Sequence, residues 1–459
     1  MSSAPRPQSK TATAAPLPKR RRTARFFAAN FVLAVIGAEG GMAVALGIFA
    51  QPFSDWTDPG LLITAISRVA AMAGTYFALI TLVLAARIPW LEREIGQDRL
   101  IKWHRMLAPY SLYLIAAHVG LVSLGYGILA DLNTWQQFWA LVLDTPWMMP
   151  ALAGFWFMLI VGFTSYKRAR SRMTYETWWL IHVYSYLGIA LSFMHQIKSG
   201  SMFVNNTGLT QWWIALYVAV FGSILLFRWI VPFVRSRRHD LRVEKVVRET
   251  RNTISVVVRG RDLGKLGAQG GQFFGWRFLD GKHWWESHPY SISASPRNDR
   301  LRVTVKDLGD ASSSLAKLRP GTKVLIEGPY GTFTADKAEG EYAVLIAGGV
   351  GITPIRALLE EIPKHVEIDL IWRASTENDL PLRREIEALA EWRGARIHWM
   401  VGSRHQFPMS PKKIVQAVPH IALADVFLCG PDGMVNEARK SLHRVGVRPD
   451  QLHDEAFAY

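Results

Sequence analysis

The stretch 102–121, KWHRMLAPYSLYLIAAHVGL, is apolar enough to enter a lipid bilayer, yet it carries His104 and His118 fourteen residues apart. Ionisable side chains inside a membrane are costly and usually functional. At about 1.5 Å per residue, fourteen helical residues separate the two imidazoles by about 21 Å and return the second to within about 40° of the first. The stretch therefore predicts a membrane helix that carries two histidines at two depths of the bilayer.

A second stretch, ETWWLIHVYSYLGIALSFMHQIK at 176–198, repeats the arrangement with His182 and His195 thirteen residues apart. Any single histidine could instead be a packed side chain bonded to a carbonyl, but two matched pairs favour one metal centre at each depth. Zinc would want further nitrogen, sulfur or carboxylate ligands, whereas haem iron needs axial ligands and an apolar slot. We therefore predict two bis-histidine haems. On a straight helix His195 would lie about 140° from His182, so either this helix is distorted or the haems are offset.

Six apolar runs approach or exceed the roughly 20 residues needed to cross a bilayer. These predicted spans are 29–50, 61–86, 104–126, 146–166, 177–197 and 210–234. The charges between the spans alternate, and the acidic segments hold Asp55, Asp58, Asp131 and Asp144, with Lys198 as their only base. The other segments are rich in Lys and Arg. The six runs predict a protein of the plasma (inner) membrane with six spans. The positive-inside rule then places both termini in the cytoplasm.

The formal net charge of +16 is explained mainly by this topology, so nucleic acid is not expected as a partner. Residues 1–28 are predicted to be a disordered basic tail, because the first 25 positions hold seven Lys and Arg and no acidic residue. A signal peptide is disfavoured, since the apolar run that follows is too long for one. Cys429 is the single cysteine, which excludes a disulfide within the chain and a metal site built from cysteines.

Two more ionisable residues lie inside predicted spans, Glu39 in the first and Arg68 in the second. They could pair with each other, since a buried charge needs a partner. Alternatively, Arg68 could face a propionate of the outer haem or the electron acceptor. Both interpretations stay open at the level of the sequence.

From residue 239 the pattern changes to short alternating strands separated by Gly and Pro turns. LRVEKVVRE, TISVVVRG, LRVTVKDLG and KVLIEGPYG predict an antiparallel β-barrel domain over 239–337. Within it, HPYSISASP (288–296) offers a flat aromatic ring, a hydroxyl and a ring nitrogen. The turn 309–312 offers backbone N–H groups that suit a pyrophosphate. Each motif taken alone could be an ordinary loop.

The last part, 338–459, alternates strands and helices and predicts a parallel α/β nucleotide-binding domain. In EYAVLIAGGVGITPIRALLEEI (341–362), a strand runs into a Gly-rich turn and then a helix, with Thr353 predicted as its cap and Pro354 at its first position. Amides at such a helix N-terminus bind the phosphates of dinucleotides. Two further strands are predicted, one ending at Arg373 and one at Cys429-Gly430-Pro431.

These soluble motifs, in this order, resemble the ferredoxin–NADP reductase superfamily. With the paired histidines added, the chain resembles prokaryotic members of the NADPH oxidase/ferric reductase family of transmembrane flavocytochromes b. The resemblance covers roughly 61–459. It implies a multi-domain membrane protein in which a six-helix di-haem bundle (29–238) precedes the FAD-binding barrel and the NAD(P)H-binding domain.

The resemblance also implies a role for individual residues. His104 and His182 would ligate the inner haem b, and His118 and His195 the outer one. The residues that it assigns to FAD are His288, Pro289, Tyr290, Ser291, Ile292, Ser293, Lys306, Gly309, Asp310, Ala311 and Ser312. The residues that it assigns to NAD(P)H are Gly348, Gly349, Gly351, Thr353, Pro354, Arg373, Cys429, Gly430 and Pro431.

Within these sets, Tyr290 would lie along the isoalloxazine, Ser291 would reach its reactive nitrogen and Cys429 would lie near the nicotinamide. A C-terminal aromatic, Tyr459 in preference to Phe457, would cover the flavin until nicotinamide displaces it. Arg373 and Arg404 are the candidates for binding a 2′-phosphate, which favours NADPH over NADH.

The implied activity is electron transfer from NAD(P)H through FAD and two haems to an acceptor outside, with oxygen reduced to superoxide as the favoured reaction. Ferric chelates are the second candidate acceptor, and delivery of electrons to a partner protein or quinone is the third. No obligate protein partner is evident in the sequence. Some superoxide-forming members carry a further histidine where this chain has Val122, which puts a dedicated oxygen pocket in doubt, although Arg68 resembles the arginine near that pocket.

Overall fold

The computed structural model describes residues 20–51, 57–204, 206–280, 287–307 and 309–457. Up to His239 the described chain is mostly helical. Its helices are α1 (Arg20–Phe49), α2 (Pro59–Ala85), α3 (Pro89–Ile95), α4 (Gln97–Ala130), α5 (Thr134–Asp144), α6 (Met148–Ser165), α7 (Lys167–Arg170), α8 (Tyr175–Leu191), α9 (Phe193–Ser199), α10 (Ser201–Val204), α11 (Thr207–Leu225) and α12 (Val231–His239). A turn of π-helix, Leu226–Ile230, joins α11 to α12.

This N-terminal half is a transmembrane region with five candidate spans among the described residues. The spans are Asn30–Phe49, Pro59–Ala85, Arg99–Ala130, Met148–Ser165 and Thr207–His239. The predicted span at 177–197 is not one continuous helix, because α8 ends at Leu191 and α9 begins at Phe193. Each of these two helices has fewer than the roughly 20 residues that usually span a bilayer.

The predicted disordered tail over 1–28 was wrong at its C-terminal end. Helix α1 begins at Arg20, so residues 20–28 are helical. Ala and Arg are good helix formers and this segment has no Gly or Pro, so the apolar helix that follows extends backward through it. Residues 1–19 lie outside the described residues, as does Asp55.

Small residues bring the membrane helices close together. A Cβ atom added at Gly154 of α6 would lie 2.5 Å from the carbonyl oxygen of Gly188, and one added at Gly188 of α8 would lie 2.9 Å from that of Gly154. Gly74 of α2 faces Leu114 and Ile115 of α4 at similarly short range. Close backbone approach through small residues is a common way to pack helices in lipid, where the hydrophobic effect does not drive association.

The chain after His239 forms two antiparallel sheets of three strands, ordered β1-β2-β5 and β4-β3-β6. Their elements are β1 (Arg242–Thr250), β2 (Thr253–Arg259), β3 (Phe273–Phe278), β4 (His288–Ser291), β5 (Arg300–Lys306), α13 (Asp310–Ser314) and β6 (Val324–Tyr330). The sheets share one core, to which β2 contributes Val256 and β3 contributes Trp276, both fully buried. Isolated bridges join the sheets at Arg242–Lys323 and Ile292–Val303. Closure into a barrel stays a prediction.

The remaining elements form a parallel five-stranded sheet of order β11-β10-β7-β8-β9, as the strand and helix alternation predicts. They are β7 (Tyr342–Gly348), α14 (Ile352–Glu361), β8 (Glu367–Ala374), α15 (Arg383–Arg393), β9 (Arg396–Val401), α16 (Pro411–Ala417), β10 (Asp425–Pro431), α17 (Asp432–Arg444) and β11 (Leu452–Phe457). Apolar clusters cover both faces of the sheet. Such two-sided burial is typical of parallel sheets.

The helical N-terminal half of the chain meets the sheets that follow His239 at strand β6. Arg87, in the turn between α2 and α3, lies over the ring of Tyr330 at 4.4 Å and pairs with the buried Glu92 at 3.3 Å. Arg235 of α12 donates a hydrogen bond to the carbonyl of Gly328 at 2.9 Å. A cavity of about 350 Å3 separates the two halves beside these contacts.

Candidate functional site

The first histidine pair consists of His104 of α4 and His182 of α8, whose rings lie next to each other. The ring centroids are 6.0 Å apart and the ring planes are inclined by 60°. His104 Nδ1 lies 2.9 Å from the carbonyl oxygen of Thr81, which can only accept, so Nδ1 carries the proton and Nε2 keeps a lone pair. His182 Nδ1 lies 3.2 Å from the hydroxyl of Ser165. The Nε2 of His104 is therefore available as a ligand, whereas the Ser165 hydroxyl can donate or accept and is compatible with either tautomer of His182.

The second pair, His118 of α4 and His195 of α9, lines one cavity of about 310 Å3. Its lining is mostly apolar and includes Ile115 and Phe155. His118 Nδ1 lies 2.8 Å from the hydroxyl of Ser67 and 3.1 Å from its carbonyl oxygen. The Ser67 hydroxyl donates its hydrogen to the carbonyl of His118 at 3.0 Å, so His118 Nδ1 is the donor and Nε2 again keeps a lone pair.

The thirteen-residue spacing of the second stretch is accommodated by a break in the helix. Ser192 ends α8, with φ −77° and ψ −10°, and its hydroxyl donates to the carbonyl of Ile189 at 2.8 Å. Because α9 starts afresh after this turn, His195 is not bound to the 140° offset from His182 that a straight helix would impose. Of the two explanations that the sequence left open, the structure has the distorted helix.

The residues of the first pair fit a metal held between two imidazoles. A metal bound by imidazole lies about 2 Å from the nitrogen, and the nitrogen lies roughly 1 Å from its ring centre, so two such ligands place the ring centres about 6 Å apart. The His104–His182 distance of 6.0 Å agrees with this value. Among the described residues no group of three or more His, Cys, Asp or Glu side chains could hold a metal. His195 Nδ1 is buried without a hydrogen-bond partner among the described residues.

Glu39 and Arg68 do not form the ion pair that was one of the two predictions. Both side chains are described, and Glu39 accepts a hydrogen bond from Trp212 Nε1 at 3.3 Å. Arg68 donates to Gln51 Oε1 at 2.5 Å and to the hydroxyl of Tyr126 at 3.0 Å. Arg68 lines the same cavity as the outer histidine pair. The other interpretation, in which Arg68 faces a propionate of the outer haem or the electron acceptor, stays a prediction.

The HPYS motif is strand β4, at the edge of its sheet. His288 and Tyr290 point to the same side, as alternation along a strand requires, with ring centroids 6.0 Å apart. Tyr290 is partly buried against the core, and its carbonyl accepts a hydrogen bond from Trp276 Nε1 at 2.9 Å. Ser291 is 6% exposed and pairs with Phe273 of β3. Pro289 is exposed.

The predicted phosphate turn follows β5, the strand to which the chain just after the HPYS motif is bridged. Ile292 bridges to Val303 of β5, which ends three residues later at Lys306. Gly309 precedes the short helix α13, and its carbonyl accepts the hydroxyl of Ser312 at 2.9 Å. The backbones of Asp310 and Ala311 form the first turn of α13. Their side chains lie outside the described set.

The Gly-rich turn after β7 lies directly against the end of β10. A Cβ atom at Gly351 would lie 2.2 Å from the carbonyl oxygen of Cys429, and one at Gly430 would lie 3.2 Å from the Cα of Gly348. Gly349 has φ +55° and open space around it. Only glycine allows this close approach together with the left-handed conformation. The turn thus lies at the carboxyl edge of the sheet, where open α/β folds bind nucleotides.

One prediction about this helix was wrong. Helix α14 begins at Ile352, so Thr353 and Pro354 lie inside its first turn, and Gly351 stands at the cap position without a side-chain hydrogen bond. The turn Gly349–Gly351 is itself helical, of the 3-10 type, and leads straight into α14. Thr353 and Pro354 are buried next to the Gly-rich turn.

The other predicted NAD(P)H residues differ in how accessible they are. Cys429 is fully buried, and burial raises the pKa of its thiol well above the usual range, with the charges of Glu455 and Asp454 acting in the same direction. Arg373 donates to the carbonyls of Phe407 at 3.1 Å and Met400 at 3.3 Å. It therefore braces the neighbouring loop.

Arg404 presents a more open cation than Arg373. Its side chain is 78% exposed and lies 4.0 Å from Glu437. Of the two arginines proposed for a 2′-phosphate, Arg404 has the guanidinium that a ligand can reach. Pro431, at the end of β10, is also exposed.

The structure adds Glu455, which was not singled out in the sequence. It lies opposite Cys429 on the neighbouring strand β11, and its Oε1 lies 3.4 Å from where a Cβ of Gly331 would be. The pairing of these strands is a long-range contact that no local pattern predicts. The backbone of Phe457 ends β11 opposite Pro431, whereas Tyr459 lies outside the described residues.

Three family matches cover successive parts of the chain. Residues 70–193 match the ferric reductase like transmembrane component, residues 239–334 an FAD-binding domain, and residues 345–440 an oxidoreductase NAD-binding domain. The first range holds His104, His118 and His182 and ends two residues before His195, the second holds the HPYS strand, and the third holds the Gly-rich turn.

Individual relatives match the C-terminal half of the chain, from residue 239 onward, which is called the dehydrogenase half below. An NADPH oxidoreductase of Mycobacterium tuberculosis is 30% identical over 239 residues, which cover 50% of this chain and 62% of that protein. Ferredoxin–NADP reductase B of Sorangium cellulosum is 33% identical over 190 residues, covering 37% of this chain and 77% of that protein. The gamma subunit of sulfhydrogenase 1 of Pyrococcus furiosus is 29% identical over 177 residues, covering 36% and 61%. The chain thus spans about six tenths of the length of the first and third of these relatives.

These matches confirm the resemblance predicted from the motifs. The dehydrogenase half belongs to the ferredoxin–NADP reductase family. The whole chain has the domain arrangement of a NADPH oxidase/ferric reductase-type protein, in which a ferric reductase like transmembrane component precedes FAD- and NAD-binding domains.

Proposed function

We propose that this family member carries electrons from NAD(P)H on the cytoplasmic side of a plasma membrane to an acceptor on the outer side. The proposal includes FAD and two b-type haems as cofactors, six membrane crossings and cytoplasmic termini. The observation that carries it is that His104 of α4 lies opposite His182 of α8, and that His118 of α4 lines one cavity with His195 of α9. No other arrangement of the described histidines offers two imidazoles at each of two depths.

In this proposal, the protein's own residues hold and orient the cofactors. The carbonyl of Thr81 and the backbone and hydroxyl of Ser67 fix the tautomers of His104 and His118, so that Nε2 of each faces the space between the helices. Such partners of a ligating histidine set its orientation and basicity. When bound, FAD converts a two-electron donor into single electrons, and haem carries one electron at each depth.

On the cytoplasmic side, the dehydrogenase half supplies the nucleotide sites. Tyr290 offers a flat ring for an isoalloxazine, and the hydroxyl of Ser291 lies next to it on the same strand. The backbone amides around Gly349, at the N-terminus of α14, suit the phosphates of NAD(P)H. Arg404 supports a preference for NADPH, because an exposed guanidinium can bind a 2′-phosphate bidentately.

A reduced-minus-oxidised visible spectrum with haem quantification tests the central claim. We expect two haems per chain in the purified protein, one in His118→Ala and one in His104→Ala. His365→Ala, which removes an exposed imidazole of the dehydrogenase half, is the matched control and should retain both. A wild-type protein without a Soret band would leave only a membrane-anchored flavin reductase.

For the acceptor, we propose oxygen, with superoxide as the product. Arg68 supports this choice, since its positive charge lines the cavity beside His118 and would favour a small anionic product. The family description favours ferric chelate as the second candidate. Superoxide trapping in the presence of NADPH, with and without ferric citrate, separates the two. If neither oxygen nor iron supports NADPH consumption, delivery to a protein or quinone is the remaining function.

A further inference from the structure

Helix α14 connects the two predicted cofactor sites of the dehydrogenase half. Its N-terminus follows the Gly-rich turn, and its C-terminal residues bind the segment that continues from the HPYS strand. Ser295 lies four residues beyond Ser291; its backbone N–H donates to Glu360 Oε2 at 2.9 Å and its hydroxyl to Glu361 Oε1 at 2.7 Å. The other oxygen of Glu361 accepts from the backbone N–H of Gly270 at 2.7 Å. One helix thus reaches both sites.

A bidentate ion pair reinforces this connection from the side. Arg302 of β5 donates from Nη1 to Glu385 Oε2 at 2.7 Å and from Nη2 to Glu385 Oε1 at 3.0 Å. The side chain of Arg302 is 17% exposed and that of Glu385 is 34% exposed. Because Arg302 belongs to the antiparallel sheets and Glu385 to α15 of the parallel domain, the pair joins the two nucleotide-binding units.

Arg302 also fixes the chain just after the HPYS motif. Its Nη2 donates to the carbonyl of Ser293 at 2.6 Å and its Nε to the Ser293 hydroxyl at 3.1 Å. Ser293 lies two residues after Ser291. On the other side of the pair, Arg356 of α14 contacts Glu385 Oε1 at 2.6 Å and also pairs with Glu360.

We propose that the Arg302–Glu385 pair is a positioning device that sets the geometry between the flavin and nicotinamide sites for hydride transfer. The inference rests on the proposed function. Neither residue belongs to the predicted cofactor contacts, and the pair acts through Ser293 on the flavin strand and through Arg356 on the helix behind the Gly-rich turn. The network therefore fixes the distance and angle between two sites that belong to different domains.

The chemistry is sensitive to such a device. Hydride transfer requires donor and acceptor atoms at about 3–3.5 Å with aligned orbitals, and a misplacement of about 1 Å can cost on the order of 100-fold in rate. Removing one member of a partly buried pair also leaves the other charge without compensation. We therefore expect the rate of hydride transfer to fall while FAD stays bound.

The test compares Glu385→Gln with Glu387→Gln in the full-length protein. Both variants remove one negative charge from α15, but Glu387 is 42% exposed and its ion pair is with Arg383, on its own helix. Reduction of FAD by saturating NADPH is followed by anaerobic stopped flow. We expect Glu385→Gln to slow flavin reduction about tenfold or more, with FAD content unchanged, and Glu387→Gln to stay within about twofold of wild type.

Two further variants keep the proposal falsifiable. Glu385→Asp retains the charge but shortens the reach, and should fall between wild type and Glu385→Gln. Should Glu385→Gln fail to fold, Arg302→Lys replaces it, since an ammonium cannot bind both carboxylate oxygens as the guanidinium does. A several-fold slower reduction in Arg302→Lys supports the proposal, and a wild-type rate overturns it.

The outcomes separate the two proposals. If the wild-type protein reduces FAD rapidly and Glu385→Gln does so at the same rate, the positioning role is wrong and the proposed function stands. Loss of FAD from folded Glu385→Gln also overturns the inference, because the pair would then serve cofactor binding. If neither NADPH nor NADH reduces the flavin of the wild-type protein, the proposed function itself is wrong.

Discussion

Ser67 is the residue that most directly orients the ring of His118. Its hydroxyl and carbonyl both face His118 Nδ1, and it is fully buried. We expect Ser67→Ala to weaken retention of the outer haem about tenfold, as loss of an outer-shell partner does at metal sites. Haem titration with the purified apoprotein measures this. Ser223→Ala removes a hydroxyl that bonds only within its own helix and is the control.

Cys429 provides a test of burial at the end of β10. Because burial raises the pKa of its thiol, the thiol stays protonated near neutral pH and is a poor nucleophile. As the single cysteine, it allows the whole protein to be assayed without interference. We expect maleimide labelling at pH 8 to be at least about 100-fold slower in the native protein than in denaturant. Rapid native labelling would contradict the buried position.

The crossing of helices α6 and α8 depends on two glycines that face each other. An added methyl group at Gly154 would approach the Gly188 carbonyl to 2.5 Å, so the helices must separate. We expect Gly154→Ala to destabilise the membrane half by about 1–3 kcal/mol, as overpacking generally does, and to lower the haem content of the outer site. Gly222→Ala on α11, where nothing lies within 4 Å, is the control. Thermal unfolding in detergent followed at the Soret band gives the comparison.

The elements show which parts of the structure a sequence can predict. Apolar runs and the alternation of strands and helices specified most elements, because both depend on local patterning. The break at Ser192 was only one of two alternatives, since the histidine spacing required a distortion without locating it. Strand β3 was missed although every second residue of FFGWRF is buried, because Gly275 lies in its middle and glycine is depleted in strands. The contact of Cys429 with Glu455 depends on strand order, which local sequence does not encode.

At the scale of the whole molecule, the Arg302–Glu385 pair makes the dehydrogenase half sensitive to acid. Burial alone would raise the pKa of Glu385, but hydrogen bonds and charges from Arg302 and Arg356 outweigh it and lower the pKa below the usual 4.5. A lowered carboxylate pKa contributes stability that is present above about 4.5 and is lost as the pH falls through the lowered value. We expect unfolding midpoints to drop less steeply below pH 4.5 in Glu385→Gln than in Glu387→Gln. Parallel profiles would contradict the assignment.

The contact between the membrane and dehydrogenase halves is where the proposed pathway passes from one to the other. Arg87 is held by Tyr330 of β6 and by the buried Glu92, so it links a membrane turn to a strand of the same sheet as the HPYS strand β4. A guanidinium over an aromatic ring contributes about 0.5–2 kcal/mol, and loss of Arg87 also removes a partner of a buried carboxylate. The two halves should then dock less firmly.

We therefore expect Arg87→Ala to slow the reduction of haem by reduced flavin about tenfold, while NADPH reduces FAD at the wild-type rate. The two steps are resolved in one stopped-flow experiment by following flavin absorbance and the haem band together. Arg168→Ala, which removes an exposed arginine from α7, is the control for loss of a positive charge. If Arg87→Ala slows the first step instead, the junction governs the dehydrogenase itself. If both steps keep their wild-type rates, the two halves are held together by other contacts, such as that of Arg235 with Gly328.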